Sequence, residues 1–390
     1  MEHNKIKQMI AEVFNDIADG IETGQFGKKV RIGVTVLGSE HGTENVLNGA
    51  MAAQENDNSI EVVLIGPKND TNLKNYEADT EEQQHKVMEK LLDSGEIQGC
   101  VTLHYNFPIG VSTVGRVITP AKGKEMLIAT TTGTSSPHRT EAMVKNGLYG
   151  IIVAKALGKK NPTVGILNVD GARQVERTLK ELKSNGYDIN FTESLRADGG
   201  AVMRGNDLLA GTPDVMITDS LTGNLLIKMF SSYTTGGSYE ALGYGYGPGV
   251  GDGYERNILI ISRASGSPLI ASAIKYAGEV ARGDIIKKSK EEFEKAKKAK
   301  LNDILKELTK DKKSNKEDEE EITPPKKEIV TGAISGIDIM DLEDAVKEIW
   351  KNNIYAETGM GCTGPIVMVN VKNIDDASDI LAKAGYITKD

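Results

Sequence analysis

Short apolar runs that recur along the first two thirds of the chain constrain its fold more than any other feature of the sequence. The run at residues 60–66 reads IEVVLIG, and similar runs lie at residues 30–37, 99–103, 126–130, 163–168, 214–218 and 257–261. Segments with helical periodicity separate these runs, and a further helix is predicted before them at residues 6–20. Apolar strands that alternate with helices are typical of a parallel sheet with helices on both faces. The sequence therefore predicts a three-layer α/β fold with a mostly parallel sheet.

The composition changes abruptly after residue 284. Lysine and glutamate dominate residues 285–327, and the stretch ends in KDKKSNKEDEEEITPPKK, with few apolar residues. Such a segment is typical of a charged helix followed by a linker. Residues 328–390 regain the signals of a strand at 366–371 and of helices at 341–350 and 375–384. We predict a body at residues 1–284, a charged helix and linker at 285–327, and a small C-terminal α+β domain at 328–390.

Charge and composition disfavour several classes of partner. The formal net charge of the 390 residues is −9, and aromatic residues make up 5 %, which argues against a nucleic-acid surface. No apolar run approaches the roughly 18 residues of a membrane span, and the N-terminus lacks the pattern of a signal peptide, so we expect a cytoplasmic protein. The two cysteines, Cys100 and Cys362, have no spacing that suits zinc. No metal site and no cofactor are expected.

The glycine-rich string at residues 243–253 invites comparison with a dinucleotide site. It precedes an apolar run instead of following one, and it opens no helix. It therefore does not match the dinucleotide-binding fingerprint. We interpret it as a flexible lid or as a loop that another part of the chain approaches closely.

Cys362 lies in a second glycine-rich stretch, ETGMGCTGP at residues 357–365, which we interpret as a loop directly before an apolar strand. Glycines keep side chains away from the sulfur, and backbone N–H groups of Gly361, Thr363 and Gly364 could stabilise a thiolate or a tetrahedral oxyanion. Cys362 is then a nucleophile. The alternative is a small residue in a tight turn, and spacing alone leaves both open. Cys100, in GCVTL, is interpreted as a small core residue of a strand.

Two loops that follow apolar runs are candidate anion sites. Residues 38–44, GSEHGTE, join a run to a helix, where backbone N–H groups and the helix dipole bind anions, and Ser39 and His41 are candidate ligands. Residues 219–224, DSLTGN, follow another run and offer Thr222 and Asn224, with Lys228 beyond. Ordinary helix caps with exposed side chains are the alternative for both loops.

These motifs, in this order, resemble the phosphate acyltransferases of phospholipid synthesis. The resemblance spans residues 31–284 and rests on GSEHGTENVLNGA with IEVVLIG, on NPTVGILNV, on DVMITDSLTGNLLIK and on ISRASGSPLIASAIKYA. Ser220 stands where that family prefers glycine. The resemblance implies a sheet architecture shared with isocitrate-dehydrogenase-like enzymes and phosphotransacetylases. It also implies the formation of an acyl phosphate from an acyl thioester and phosphate.

The whole chain, including the linker and ETGMGCTGPIV, resembles the component C alpha subunits of glycine, sarcosine and betaine reductase complexes. That resemblance implies that Cys362 is the catalytic thiol and carries an acetyl thioester, which phosphate converts to acetyl phosphate during amino-acid fermentation in anaerobes. It also implies two partners, the beta subunit of component C and a selenoprotein component A that donates the two-carbon unit. Our hypothesis is that inorganic phosphate binds through the His41 loop and the region of Thr222 to Lys228.

Three other functions stay open. A phosphate acetyltransferase that uses coenzyme A would share the fold and leave Cys362 with a structural role. A nicotinamide-dependent dehydrogenase would follow from the relation of this fold to isocitrate-type dehydrogenases. A non-catalytic docking subunit would have no exchange chemistry of its own.

Overall fold

The computed structural model describes residues 14, 17–18, 21, 29–195, 199–310, 322–335, 337, 342–361 and 364–387. The predicted helix at residues 6–20 lies almost entirely outside the described residues. Cys362, Thr363 and residues 311–321 of the predicted linker lie wholly outside them. Within the described ranges, no helix is both long enough and apolar enough to cross a membrane.

Twelve strands of the described chain form one large sheet. In chain order they are β1 Val30–Thr35, β2 Ile60–Gly66, β3 Lys74–Glu77, β4 Gly99–Thr102, β5 Val111–Ile118, β6 Glu125–Thr134, β7 Thr163–Leu167, β8 Asn190–Phe191, β9 Val202–Met203, β10 Val215–Ile217, β11 Gly247–Val250 and β12 Ile258–Ile260. Their order across the sheet is β3-β2-β1-β4-β12-β11-β5-β6-β10-β7-β8, and β9 pairs with β7. Every pairing is parallel except the three that involve β5 or β11. The predicted mostly parallel sheet is therefore confirmed.

Helices cover both faces of this sheet and complete three layers, as predicted. They are α1 Thr43–Asn56, α2 Glu81–Asp93, α3 Arg139–Ala156, α4 Ala172–Ser184, α5 Gly205–Ala210, α6 Ser220–Ser232, α7 Ser267–Arg282, α8 Ile285–Lys298 and α9 Leu301–Lys310. Alternate residues of β2 enter two separate cores, Val62 and Leu64 in one and Val63 and Ile65 in the other, so the sheet separates these cores. Helices α1, α3, α4, α7, α8 and α9 build the first core, and α2, α5 and α6 contribute to the second.

The antiparallel strands β5 and β11 were not predicted, and they reverse the direction of the sheet. Because of these strands, β4 and β12 on one side run opposite to β6 and β10 on the other. Their sequences, VSTVGRVI and GPGV, place polar residues and glycines at buried positions, so the hydrophobic pattern does not indicate them. As a result, the two predicted anion loops, after β1 and after β10, leave the sheet in opposite directions.

The glycine string at residues 243–253 contains a buried central strand, β11, so the predicted flexible lid is wrong. A Cβ atom on Gly247 would lie 1.8 Å from the carbonyl oxygen of Val114, and Gly247 has a φ of 88°. One on Gly249 would lie 2.6 Å from the ring of Phe107. Only glycine permits these contacts and this backbone conformation, which confirms the alternative of a close approach between chain segments.

The charged segment that starts at residue 285 forms two helices whose apolar sides belong to the first core. Ile285 and Phe293 of α8 and Leu301 of α9 are buried there, and the ring of Phe293 lies edge-on to Tyr149, with 5.9 Å between centroids. The body and these helices therefore share one core across residue 284. The division of the chain at 284 and 327 stays a prediction about independent folding units.

The C-terminal residues form a small α+β domain, as predicted. Its sheet contains β13 Gly332–Ser335, β14 Ala356–Gly361 and β15 Gly364–Val369 in the order β13-β15-β14, all antiparallel, and α10 Leu342–Lys351 and α11 Ile374–Lys383 pack beside it. The body contributes Ile109 to this core, and Pro108 forms an isolated bridge with Gly359 of β14. Strand β14 also lies beside β6. The domain is thus attached to the body through the chain between β4 and β5.

Candidate active site

The N-termini of two long helices meet at the carboxyl ends of β1 and β12. The caps of α1 and α7 are Gly42 and Gly266, which have no side chains to cap the helices themselves. Asn45 ties the two ends together, because its Nδ2 donates to the Ser265 carbonyl (2.8 Å) and its Oδ1 accepts from the Ser267 N–H (2.9 Å). The positive ends of two helix dipoles favour an anion at this point.

The predicted residues Ser39 and His41 lie at this same edge. The Ser39 hydroxyl accepts a hydrogen bond from the backbone N–H of His41 (3.1 Å), and the Nε2 atom of His41 is 3.3 Å from the carbonyl oxygen of Ala264. The ring of His41 lies edge-on to Tyr239, with 6.1 Å between centroids. The loop after β1 is therefore fixed against the loop after β12, and the imidazole is exposed beside the two helix ends.

Lys228 reaches this edge from α6. Its Nζ lies 3.7 Å from Oε1 of Glu240 and 5.7 Å from the ring centre of Tyr246. Burial acts to lower the pKa of Lys228, but its contacts with Tyr246 and Glu240 outweigh burial and raise the pKa. The lysine therefore keeps its positive charge.

Glu240 connects Lys228 to the His41 loop. Its backbone N–H donates to the Ala264 carbonyl oxygen (3.0 Å), the same atom that His41 contacts, and its own carbonyl accepts from the Gly266 N–H (2.8 Å). The residue is 4 % exposed. Glu240 thus connects two of the predicted residues, His41 and Lys228. No sequence pattern indicated Glu240.

Ser265 and Arg263, both in the loop after β12, were also missed. The Ser265 side chain is fully buried, and its Oγ has no hydrogen-bond partner within the described residues. The Arg263 guanidinium contacts a carboxylate oxygen of Glu81 at 2.8 Å. The sequence ISRASGSP, which precedes a helix and contains an arginine and three serines, is the signal that could have identified this loop.

Thr222 and Asn224 hold α6 in place. The Asp219 carboxylate caps α6 by accepting hydrogen bonds from the Thr222 N–H (3.0 Å) and hydroxyl (2.7 Å). Asn224 Nδ2 donates to the carbonyl of Thr131 (3.0 Å), whose hydroxyl donates to the carbonyl of Tyr246 (2.7 Å). Thr222 is therefore engaged in a helix cap away from His41, whereas Asn224 is linked through Thr131 to the Tyr246 segment.

Helix α6 crosses the antiparallel strands and so joins the two halves of the sheet. A Cβ atom on Gly223 would lie 1.8 Å from the Thr130 carbonyl oxygen, and one on Gly115 of β5 would lie 2.6 Å from the Ile227 side chain. The helix begins at the carboxyl end of β10, beside β6, and reaches Tyr246, next to β11, at Lys228. This crossing brings Lys228 to the loops of the other half.

We expect replacement of Asp219 by asparagine to reduce the dependence of stability on pH. Burial acts to raise the pKa of Asp219, but hydrogen bonds from Thr222 and the charge of Arg139, 3.0 Å away, outweigh it and lower the pKa. A carboxylate with a lowered pKa stabilises the fold above its unfolded pKa of about 3.9, and this contribution is lost as the pH falls through the folded pKa.

Urea denaturation from about pH 7 to pH 3 tests this expectation. Wild type should be the more stable protein at neutral pH, and its advantage over Asp219→Asn should shrink on acidification. Asparagine still caps a helix, so the variant keeps the cap and loses the charge. A difference in unfolding free energy that does not change with pH would contradict the assignment.

The described residues of the predicted oxyanion loop belong to two paired strands. Strands β14 and β15 pair from Ala356 with Val369 to Gly361 with Gly364, so the glycine-rich stretch before Cys362 is a strand and not a loop. It was mistaken for a loop because glycines are depleted in strands. Cys362 and Thr363 lie outside the described residues. Gly361 and Gly364 pair at the end of the hairpin whose Gly359 contacts Pro108 of the body.

Cys100 is fully buried in β4, and burial raises the pKa of its thiol far above the ordinary value. Its interpretation as a core residue is confirmed. No group of acidic, histidine or cysteine side chains in the described part of the chain could hold a metal ion.

The chain is similar to several known proteins. The model of the family described as "Fatty acid synthesis protein" matches residues 30–368. The chain is 64 % identical over 382 residues to the "Glycine/sarcosine/betaine reductase complex component C subunit alpha" of Peptoclostridium acidaminophilum, covering 98 % of this chain and 99 % of that protein. It is 26 % identical over 236 residues to a phosphate acyltransferase of Thermotoga petrophila, covering 51 % of this chain and 67 % of the relative. A branched-chain phosphotransacylase from Enterococcus faecalis V583 superposes with a TM-score of 0.44 and 17 % identity, over 65 % of this chain and 99 % of that one.

Proposed function

The chain belongs to the fatty acid synthesis protein family and to the component C alpha subunits of glycine/sarcosine/betaine reductase complexes, and from this membership we propose that it transfers an acetyl group from Cys362 to inorganic phosphate. The product is acetyl phosphate. The two reactants are an acetyl thioester on Cys362 and an inorganic phosphate bound to the body of the chain, residues 1–284.

The convergence of the α1 and α7 N-termini is the observation that carries this proposal. The two helix ends, bounded by His41 and by Lys228, combine the positive ends of two helix dipoles with the charge of Lys228. Phosphate requires such a site, because a buried anion needs donors and opposite charge to offset its lost hydration. Ser39 and Asn224 support the same site by fixing the His41 loop and α6.

The proposed reaction uses the ordinary reactivity of a thioester. An oxygen of hydrogen phosphate attacks the carbonyl carbon, the carbon–sulfur bond breaks, and its electron pair returns to the sulfur of Cys362. The proton that phosphate gives up ends on the thiolate. Backbone N–H groups of Gly361, Thr363 and Gly364 are proposed to stabilise the tetrahedral oxyanion.

The proposed partners follow from the 64 % identical relative, which is named as a subunit of a multi-component reductase complex. We propose that this chain assembles with a component C beta subunit. A selenoprotein component A would supply the two-carbon unit that becomes the acetyl group on Cys362.

We expect replacement of Lys228 by methionine to weaken the binding of inorganic phosphate by roughly 10-fold or more. The change keeps most of the apolar part of the side chain and removes a charge-assisted interaction, and 10-fold corresponds to about 1.4 kcal/mol. Isothermal titration of the full-length chain with inorganic phosphate measures this effect. The variant Lys183→Met, an exposed lysine at the end of α4, is the matched control. Equal phosphate affinity in wild type and Lys228→Met would rule out this site.

A further inference from the structure

Two polar atoms at the proposed phosphate site are buried without a hydrogen-bond partner among the described residues. They are Oε2 of Glu240 and Oγ of Ser265. The two residues lie side by side, since Glu240 and Ser265 form an isolated parallel bridge. A buried polar atom without a partner costs free energy, so such atoms in a folded protein indicate a missing ligand or water.

The carboxyl of Glu240 is held in a fixed place. Nζ of Lys228 lies 3.7 Å from the other carboxylate oxygen, Oε1. The backbone of Glu240 is hydrogen-bonded to Ala264 and to Gly266, the residues on either side of Ser265. The backbone of Glu240 is therefore fixed by the protein, and its side chain is buried beside Lys228. Lys228 partly offsets the negative charge that Glu240 would present to an anion.

A carboxylate at an anion site can distinguish protonated from unprotonated anions, which a neutral donor cannot do. It accepts a hydrogen bond and donates none, so it is compatible only with an anion that itself carries a proton. Hydrogen phosphate carries a proton near neutral pH, and so does hydrogen arsenate. Sulfate, which has the same shape and a similar charge, does not.

We infer that Glu240 selects hydrogen phosphate over sulfate by accepting a hydrogen bond from the protonated oxygen of phosphate at Oε2, while Ser265 donates to another oxygen. The inference rests on the proposed phosphate site and adds the residue that determines its specificity. A site built to pair with a ligand O–H group rejects an analogue that lacks it, because the site's buried acceptor is then left unpaired.

The state of the Glu240 carboxyl fits this role. Burial raises its pKa, and Ser262 and Lys228 act in the opposite direction. A carboxyl of raised pKa is a strong hydrogen-bond acceptor for the O–H of a neighbouring anion. The groups that face it are Lys228 and Ser231 from α6, Ser262 after β12 and Tyr246 before β11.

Isothermal titration of the full-length chain with phosphate, arsenate and sulfate, at neutral pH and equal ionic strength, tests the inference. Wild type should bind phosphate and arsenate roughly 100-fold more tightly than sulfate. In Glu240→Gln the preference should fall to roughly 10-fold or less, because the new amide can donate to sulfate. Glu176→Gln, which changes a buried, ion-paired carboxylate on α4, should keep the wild-type preference.

Two outcomes overturn the inference and leave the proposed function standing. One is equal affinity of the wild-type chain for phosphate and sulfate, a result that needs no variant. The other is a folded Glu240→Gln protein, by circular dichroism, that keeps the full preference for phosphate. Absence of phosphate binding by wild type, together with failure of phosphate to release acetyl groups from the chain, would overturn both the inference and the proposed function.

Discussion

Cys362→Ala should abolish the formation of a labile acetyl adduct and lower phosphate-dependent acetyl transfer by at least about 10³-fold, as expected when a covalent nucleophile is removed. The reason is chemical, because alanine can neither form a thioester nor act as a leaving group. The measurement is mass spectrometry of the intact chain after incubation with acetyl phosphate, followed by treatment with inorganic phosphate or arsenate. Wild type should gain one acetyl group and lose it again.

Cys100→Ala is the matched control for this experiment. Cys100 is fully buried, and the raised pKa of its thiol leaves no thiolate near neutral pH, so its removal should leave the adduct unchanged. The loss of a buried sulfur should cost about 1 kcal/mol of stability. An adduct that persists in Cys362→Ala, or exchange activity with no adduct in wild type, would instead support a phosphate acetyltransferase that uses coenzyme A.

Gly223→Ala should destabilise the protein by about 3 kcal/mol, because the added methyl group has no space. The Cβ atom would lie 1.8 Å from the carbonyl oxygen of Thr130, a backbone atom that cannot move without distorting β6. The better helix propensity of alanine offsets only about 1 kcal/mol of this. Urea denaturation measures the loss.

The same substitution should also weaken phosphate binding, because α6 must shift away from the sheet and carries Lys228 with it. Gly205→Ala is the matched control, since Gly205 is also a helical glycine and an added Cβ would meet no atom within 4 Å. That variant should change the unfolding free energy by less than about 1 kcal/mol. Equal stabilities of the two variants would show that α6 is not closely packed at Gly223.

Most of the large sheet was predictable, because its strands are contiguous and apolar. The runs at residues 30–37, 60–66 and 163–168 contain β1, β2 and β7 within two residues at each end. Such strands are buried on both faces, so their own residues indicate them without knowledge of their neighbours. Strands whose buried positions hold glycine, threonine or arginine, such as β5 and β11, give no such signal.

The residues of the candidate phosphate site were predictable in part. Ser39, His41 and Lys228 were identified from loops that follow strands and from a family resemblance. Glu240 was not, because its stretch GGSYEALGYG has neither helical nor strand periodicity and the residue is unremarkable on its own. Its importance arises only from what surrounds it after folding.

The sequence by itself determined the contiguous apolar strands, the α/β class and the family, since each depends on the pattern of neighbouring residues or on motifs in a fixed order. The tertiary structure alone decided that two antiparallel strands reverse the sheet and that α6 crosses them to bring Lys228 to His41. It also decided that Glu240 is buried between these residues. These features depend on contacts between residues far apart in the chain, such as Asn45 with Ser265 and His41 with Ala264, which are 220 and 223 positions apart, and packing establishes such contacts without leaving a local pattern.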